Sequence, residues 1–224
     1  MGAVTDRAGV TVRDLGVLCW AVEMFGLPLG LVAELVARAA DIRLEPDSAA
    51  RVARRVAGRL REGGYARLVT IGGQRWLVPT EAGLALGMAE GQETPYQAWR
   101  PAGWKLAHLE AVARLRLQLE DRYPAATWQS ERAIRRRWHG TGARVRMADG
   151  GLHLADGRAA GVEVELHVKR LALYEGIVRD QDPAWTAGVW WFAPAGHVEL
   201  LRSRLAEVGA DGHEVYPLPD GTGS

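Results

Sequence analysis

The chain has one cysteine, Cys19, among 224 residues. That excludes an internal disulfide and any zinc site built from several cysteines. Cys19 falls in an apolar helical pattern, where a lone thiol behaves as a small core hydrophobe. The six histidines, at 108, 139, 153, 167, 197 and 213, show no close metal-ligand spacing. No basic stretch followed by an apolar run opens the sequence, so a secretory signal is not expected. Met24 to Ala33, the longest uncharged run near the N-terminus, falls far below what a bilayer requires. The sequence therefore predicts no membrane partner and a cytoplasmic location. An excess of charge of one sign is also lacking: the formal net charge is +1, so total charge excludes no class of partner.

What the sequence has in quantity is tryptophan, nine in all, with Trp190 and Trp191 adjacent. These read as core and interface fillers rather than platforms for stacking bases. The length allows one large domain or two small ones, and either half is long enough to bury a core.

The first half is helical, then strand-like. Residues 11–26 repeat apolar side chains at helical spacing, and a second helix is predicted over "PLGLVAELVARAA" with Pro28 near its first turn. A third helix is predicted from a cap at Asp47 or Ser48 to Gly63-Gly64. On a helical wheel its residues Val52, Val56 and Leu60 fall together, while Arg51, Arg54, Arg55, Arg59 and Arg61 fall opposite. Two strands, 65–71 and 74–78, follow with Gly72-Gly73 as their turn, and Thr80 caps a short helix. Three helices followed by a hairpin is the order of a winged helix-turn-helix, with Arg75 beside the tip of the wing. An arginine face supplies fixed cations for phosphates and forks for guanine edges. Double-stranded DNA is the predicted partner, and a homodimer is the other use such a module allows. A simple solvated helix face is the alternative for the arginines.

"AEGQETPYQAWRPAG", residues 89–103, has no clear period and reads as a linker. The predicted division is a DNA-binding domain at 10–90, a linker at 91–103 and a second domain at 104–218. That second domain opens with a helix at about 104–122. It continues with a basic island carrying Arg132, Arg135, Arg136 and Arg137, and then alternates strand and helix. "AGVWWFAP" is a continuous apolar strand, as in a sheet covered on both faces. The fold class is α+β, with a mixed sheet in the second domain.

"GVEVELHV" reads as a period-two strand over 161–168, with Glu163, Glu165 and His167 on one face. Neighbouring carboxylates repel unless a cation lies between them. Asp156, closing the preceding strand, is placed to join Glu163 in holding a divalent ion. The alternative is an exposed sheet edge with a solvated polar face.

Taken in order, "LAHLEAVARLRLQLE", "WQSERAIRRRW", "HLADG" and "VEVELHVKRLALYEGIV" resemble the replication-relaxation family. The resemblance covers about residues 10–218. Those proteins belong to plasmids, integrative elements and phages, mostly of actinobacteria, and join a winged helix to a domain similar to the PD-(D/E)xK nucleases. The resemblance implies Asp156 as the first catalytic carboxylate and Glu163 as the second, with Glu131 matching a helix acid that some members add. The pattern wants lysine at 165, where this chain has Glu165, and Lys169 stands four residues on as a displaced lysine or a solvent-facing one. Ala155 replaces the usual proline before the aspartate. The missing lysine argues against cleavage. The expected function is thus a DNA-binding protein of a mobile element, acting in replication, transfer or transcriptional control, with an inactive nuclease-like domain. The alternatives are a magnesium-dependent endonuclease or nickase using Asp156, Glu163, Glu165 and Lys169, and a dimeric repressor with a ligand-sensing C-terminal domain. Magnesium is the cofactor only in the nuclease case.

Overall fold

The structure is a computed structural model and describes residues 5–6, 10–89, 103–142 and 144–219. The predicted linker at 91–103 lies almost wholly outside the described residues. The chain divides into two compact units, Met1–Leu106 and Ala107–Ser224. No helix among the described residues is long and apolar enough to cross a membrane.

The first unit begins with a two-residue ladder between β1 (Thr5–Asp6) and β2 (Val10–Thr11). Helix α1 (Val12–Glu23) follows. Thr11 caps it: its hydroxyl accepts the Asp14 N–H, and the Asp14 carboxylate returns the bond by accepting the Thr11 N–H. Strand β3 (Leu27–Pro28) leads into α2 (Leu29–Ala39), and α3 spans Pro46–Glu62. The α3 start differs from expectation. Glu45 stands at the cap with no side-chain bond, and Pro46 takes the first helical position. Proline has no N–H to satisfy there, and its fixed φ already matches the helix, so neither Asp47 nor Ser48 is needed as a cap.

The α3 stripe buries Val56 and Leu60 with the flanking Ala53 and Ala57, while Val52, expected in the same stripe, is half-buried. Strands β4 (Ala66–Ile71) and β5 (Gln74–Pro79) pair antiparallel with Ile71 opposite Gln74. Gly72 and Gly73 both have positive φ, as a tight two-residue hairpin turn requires. β3 joins the other side of β5, giving the order β3-β5-β4. Thr80 caps α4 (Glu81–Ala89) through the Gly83 N–H.

The second unit is built on a five-stranded mixed sheet in the order β10-β9-β8-β7-β6. Its elements are α5 (Leu106–Arg122), β6 (Thr127–Ser130), α6 (Glu131–Trp138), β7 (Gly150–His153), β8 (Ala159–Val164), α7 (Leu171–Arg179), β9 (Val189–Ala193), α8 (Val198–Glu207) and β10 (His213–Pro217). β6, β7 and β8 run antiparallel, while β8, β9 and β10 are parallel. Parallel neighbours need crossovers, and α7 and α8 supply them. Tyr174 and Ile177 of α7 and Val198, Leu201 and Leu205 of α8 form a core with Val189, Trp191, Ala193 and Val215 of the sheet. On the opposite face, Tyr123 at the end of α5 meets Trp190, with ring centroids 5.7 Å apart, and Arg116 of α5 lies over Trp128.

The acidic strand departs from both sequence readings. β8 is central in the sheet, not an edge, and all six of its residues are buried. It stops at Val164 rather than continuing to residue 168. The reason is local: the Val164 N–H, which a longer β7 would engage, donates instead to the Asp149 carboxylate at 2.8 Å. The next residue stays attached only on the other side, where the Glu165 N–H donates to the Phe192 carbonyl.

Candidate functional site

Two groups of polar residues stand out, one in each unit. In the first unit, Arg51, Arg54, Arg55 and Arg61 are exposed along α3, and Arg67 and Arg75 are exposed on the hairpin. Arg59 was expected among them and is not equivalent. Its Nε and Nη2 donate to the two oxygens of Asp14 at 2.7 and 2.6 Å, and the Asp14 side chain is wholly buried. Burial pushes the Asp14 carboxyl up, but the guanidinium and the Thr11 bonds outweigh it and hold its pKa below the ordinary value. Arg59 is thus a structural tie between α3 and α1. The sequence hides this because the partner lies 45 residues away.

In the second unit the basic island is largely paired internally. Arg132, expected on a DNA surface, is only 3% exposed, and burial lowers its pKa to about 10. Ion pairs join Arg135 to Glu131 and Arg137 to the buried Asp182. Arg144 pairs with Asp180 at 3.1 Å. Arg136 is exposed.

The carboxylates of the second unit form a cluster that the sequence reading assembled incorrectly. Asp156 does not join Glu163. It sits in the turn after β7, 52% exposed, and its carboxylate accepts bonds from the N–H and the guanidinium of Arg158. The hairpin end of β8 is Ala159, which pairs with His153. Glu163 lies four residues further along, about 13 Å at strand rise. The acid opposite Glu163 comes from the start of β7, not its end: Gly150 pairs with Val162, so Asp149 occupies the next position on the ladder.

Asp149 is held by three elements at once. His108 Nε2 of α5 lies 2.9 Å from Oδ1, the Val164 N–H binds Oδ2, and Arg146 adds a nearby positive charge. Burial pushes the Asp149 pKa up, but His108 and the Val164 N–H outweigh it and bring it below the ordinary value. For His108, burial acts to lower the pKa and the Asp149 charge more than compensates, so its pKa is raised. Glu163 behaves oppositely to Asp149. It is 5% exposed, and burial first, then repulsion from Asp149, drives its pKa well above 4.5. Arg146 approaches it only loosely, at 3.9 Å. Glu165, also buried, is tied to Lys169, and the Lys169 N–H donates to the Tyr174 hydroxyl. Burial raises the Tyr174 pKa to about 12.

Beside this cluster opens a cleft of about 380 Å³ lined by Arg144, Arg146, Lys169, Leu173, Ile177 and Asp180. Asp149 and Glu163 are neighbouring carboxyls with opposed proton affinities, and neither lines the cleft. They do not suit a divalent ion as arranged. Asp149 is engaged by His108 and a backbone N–H, Glu165 is engaged by Lys169, and burial favours the neutral form of Glu163. Among the described residues, no group of three or more histidine, cysteine, aspartate or glutamate side chains could hold a metal ion. His108, Asp149 and Arg146 were missed by sequence reasoning. The available signal was strand register, since in an antiparallel pair the end of one strand faces the start of the other.

No family model matches this chain, and no curated protein matches it. Among solved structures, the chain is similar to the crystal structure of protein VC1899 from Vibrio cholerae, with 15% identity and a TM-score of 0.29. That alignment covers 92% of this chain, which spans about half (52%) of the length of VC1899.

Proposed function

We propose that this chain is a double-stranded-DNA-binding protein that reads its site with the first unit. The observation that carries the proposal is the row of exposed arginines 51, 54, 55 and 61 on α3 beside exposed Arg67 and Arg75 on the hairpin. The element order supports a winged helix: three helices, a short strand between the first two, and a hairpin completing a three-stranded sheet. In that arrangement α3 enters the major groove and the hairpin lies along the backbone. The second unit is the nuclease-like partner that the resemblance to the replication-relaxation family implies. The resemblance also supplies the setting, a mobile element's replication, transfer or transcriptional control. With its acids engaged by His108 and Lys169, the second unit acts as a binding domain rather than a metal-dependent nuclease.

The test is duplex binding by Arg51→Ala combined with Arg55→Ala. Each lost phosphate contact reduces counterion release, so the slope of log affinity against log salt falls by about 1.8. Titrations that overlay wild type at several salt concentrations refute the assignment. Magnesium-dependent nicking of supercoiled plasmid, lost in Glu163→Ala, would restore the nuclease reading.

A further inference from the structure

The first unit holds a second feature, which shares only Arg55 with the proposed DNA face. A groove of about 990 Å³ runs along α1 from Val12 to Trp20, closed by the C-terminal part of α2 and the middle of α3. Its floor is apolar, with Val17, Leu35, Val36 and Val56 buried beneath it and Trp20 half-buried at one side. Its rim carries the cations Arg13 and Arg55. Among the described residues that line it, none is acidic. Arg59 also reaches the groove, but Asp14 engages its charge.

We infer that this groove docks an amphipathic helix of a partner protein, its apolar stripe flanked by acidic residues. Three observations on the same surface lead there. The groove follows α1 for eight residue steps, about 12 Å, which matches two turns of a helix laid alongside. Gly16 lies in its wall, in the interior of α1, and an added Cβ there meets nothing within 4 Å. Internal packing therefore does not require this glycine, and glycine is a poor helix former. What it provides is room for another backbone to approach α1 closely. The third observation is charge: an arginine rim around an apolar floor complements carboxylates flanking an apolar stripe. Duplex DNA does not fit, because phosphates leave an apolar floor unfilled. Groove-to-groove pairing of two copies does not fit either, because it would set one arginine rim against the other.

Arg55 belongs both to the groove rim and to the exposed face of α3. A helix docked in the groove therefore displaces duplex DNA. That consequence rests on the proposed DNA face; the docking does not.

The probe is a displayed library of peptides about 16 residues long, each with a fixed apolar stripe at helical spacing. The flanking positions are randomised among Glu, Lys and Gln, and selection is against the full-length chain. The expected result is enrichment of Glu at the flanks. The enriched peptide then binds at least about tenfold more weakly to Gly16→Leu, which fills the groove, and to Arg13→Glu, which reverses a rim charge without altering the helix interior. Gly16→Leu retains duplex binding, which separates failure of the groove from failure of the DNA face. Enrichment without preference for Glu, or peptide binding indifferent to both substitutions, overturns the inference. So does self-association of the wild-type chain that Gly16→Leu abolishes, since it would make the occupant a second copy.

Discussion

Replacing Asp14 with alanine tests how the first unit holds its arginine helix in place. The wild-type carboxylate receives a two-pronged bond from Arg59 and also accepts the Thr11 N–H at 3.0 Å. In Asp14→Ala, a guanidinium that is only 31% exposed loses its anion, and the capping box loses one of its two bonds. The stranded charge costs about 1.5–3 kcal/mol and the lost cap bond about 0.5–1 kcal/mol. Together they amount to about 2–4 kcal/mol. Because the chain has two units, one melting temperature would blur the effect. Hydrogen exchange resolves it, as peptides from residues 12–23 and 46–62 should exchange about 30- to 800-fold faster. Arg59→Ala should act similarly, and the double variant should fall short of the sum by about 1–3 kcal/mol, since neither charge is then left alone. The pH dependence has a definite sign. The folded Asp14 pKa lies below 3.8, so the pair's contribution is complete above that value and lost as pH falls through the folded pKa. Exchange in Asp14→Ala within threefold of wild type, or strictly additive losses, would refute the reasoning.

Arg51→Ala with Arg55→Ala should leave hydrogen exchange of residues 46–62 unchanged while weakening duplex binding, whereas Arg59→Ala should weaken binding only as far as it loosens the helix. In the second unit, the raised pKa values of His108 and Glu163 both give stability that is full below the ordinary values, 6.5 and 4.5, and lost as pH rises through the folded ones. Urea unfolding across pH should therefore show Glu163→Gln less sensitive to rising pH than wild type, and Asp149→Asn lacking the stability that falls away as His108 deprotonates; an unchanged pH profile in both variants would show that the cluster does not titrate as described. Gly150→Ala places a Cβ 2.0 Å from the Trp128 ring, and unfolding should report a loss of about 1–3 kcal/mol; unaltered stability would mean that the ring moves aside at no cost.

Much of the fold is legible in the sequence because it is written in local periods. The stripe at 52, 56 and 60 against five arginines marks α3. Gly72-Gly73 marks a turn that demands positive φ twice. The apolar run "VWWFA" marks a strand covered on both sides, and β9 lies between two parallel neighbours. The candidate sites were less legible. "HLADG" offers Asp156 as the acid nearest in sequence to Glu163, yet the hairpin carries it to the far end of the strand pair. The acid that belongs there, Asp149, is 14 residues before Glu163, and its histidine partner is 41 residues before it.

By itself, then, the sequence determined the three helices and the hairpin of the first half and most of the alternating strands and helices of the second, because hydrophobic period and glycine conformation act over a few residues; it did not determine where β8 ends. It also determined that an arginine-rich helix precedes a hairpin. Only the tertiary structure decided what each charge faces. Arg59 meets Asp14 and Arg137 meets Asp182, while Arg51 and Arg55 remain at the surface. The physical reason is that a charge's role follows from what replaces its water. That replacement comes from segments some 45 residues apart, brought together by register and packing that no local pattern encodes.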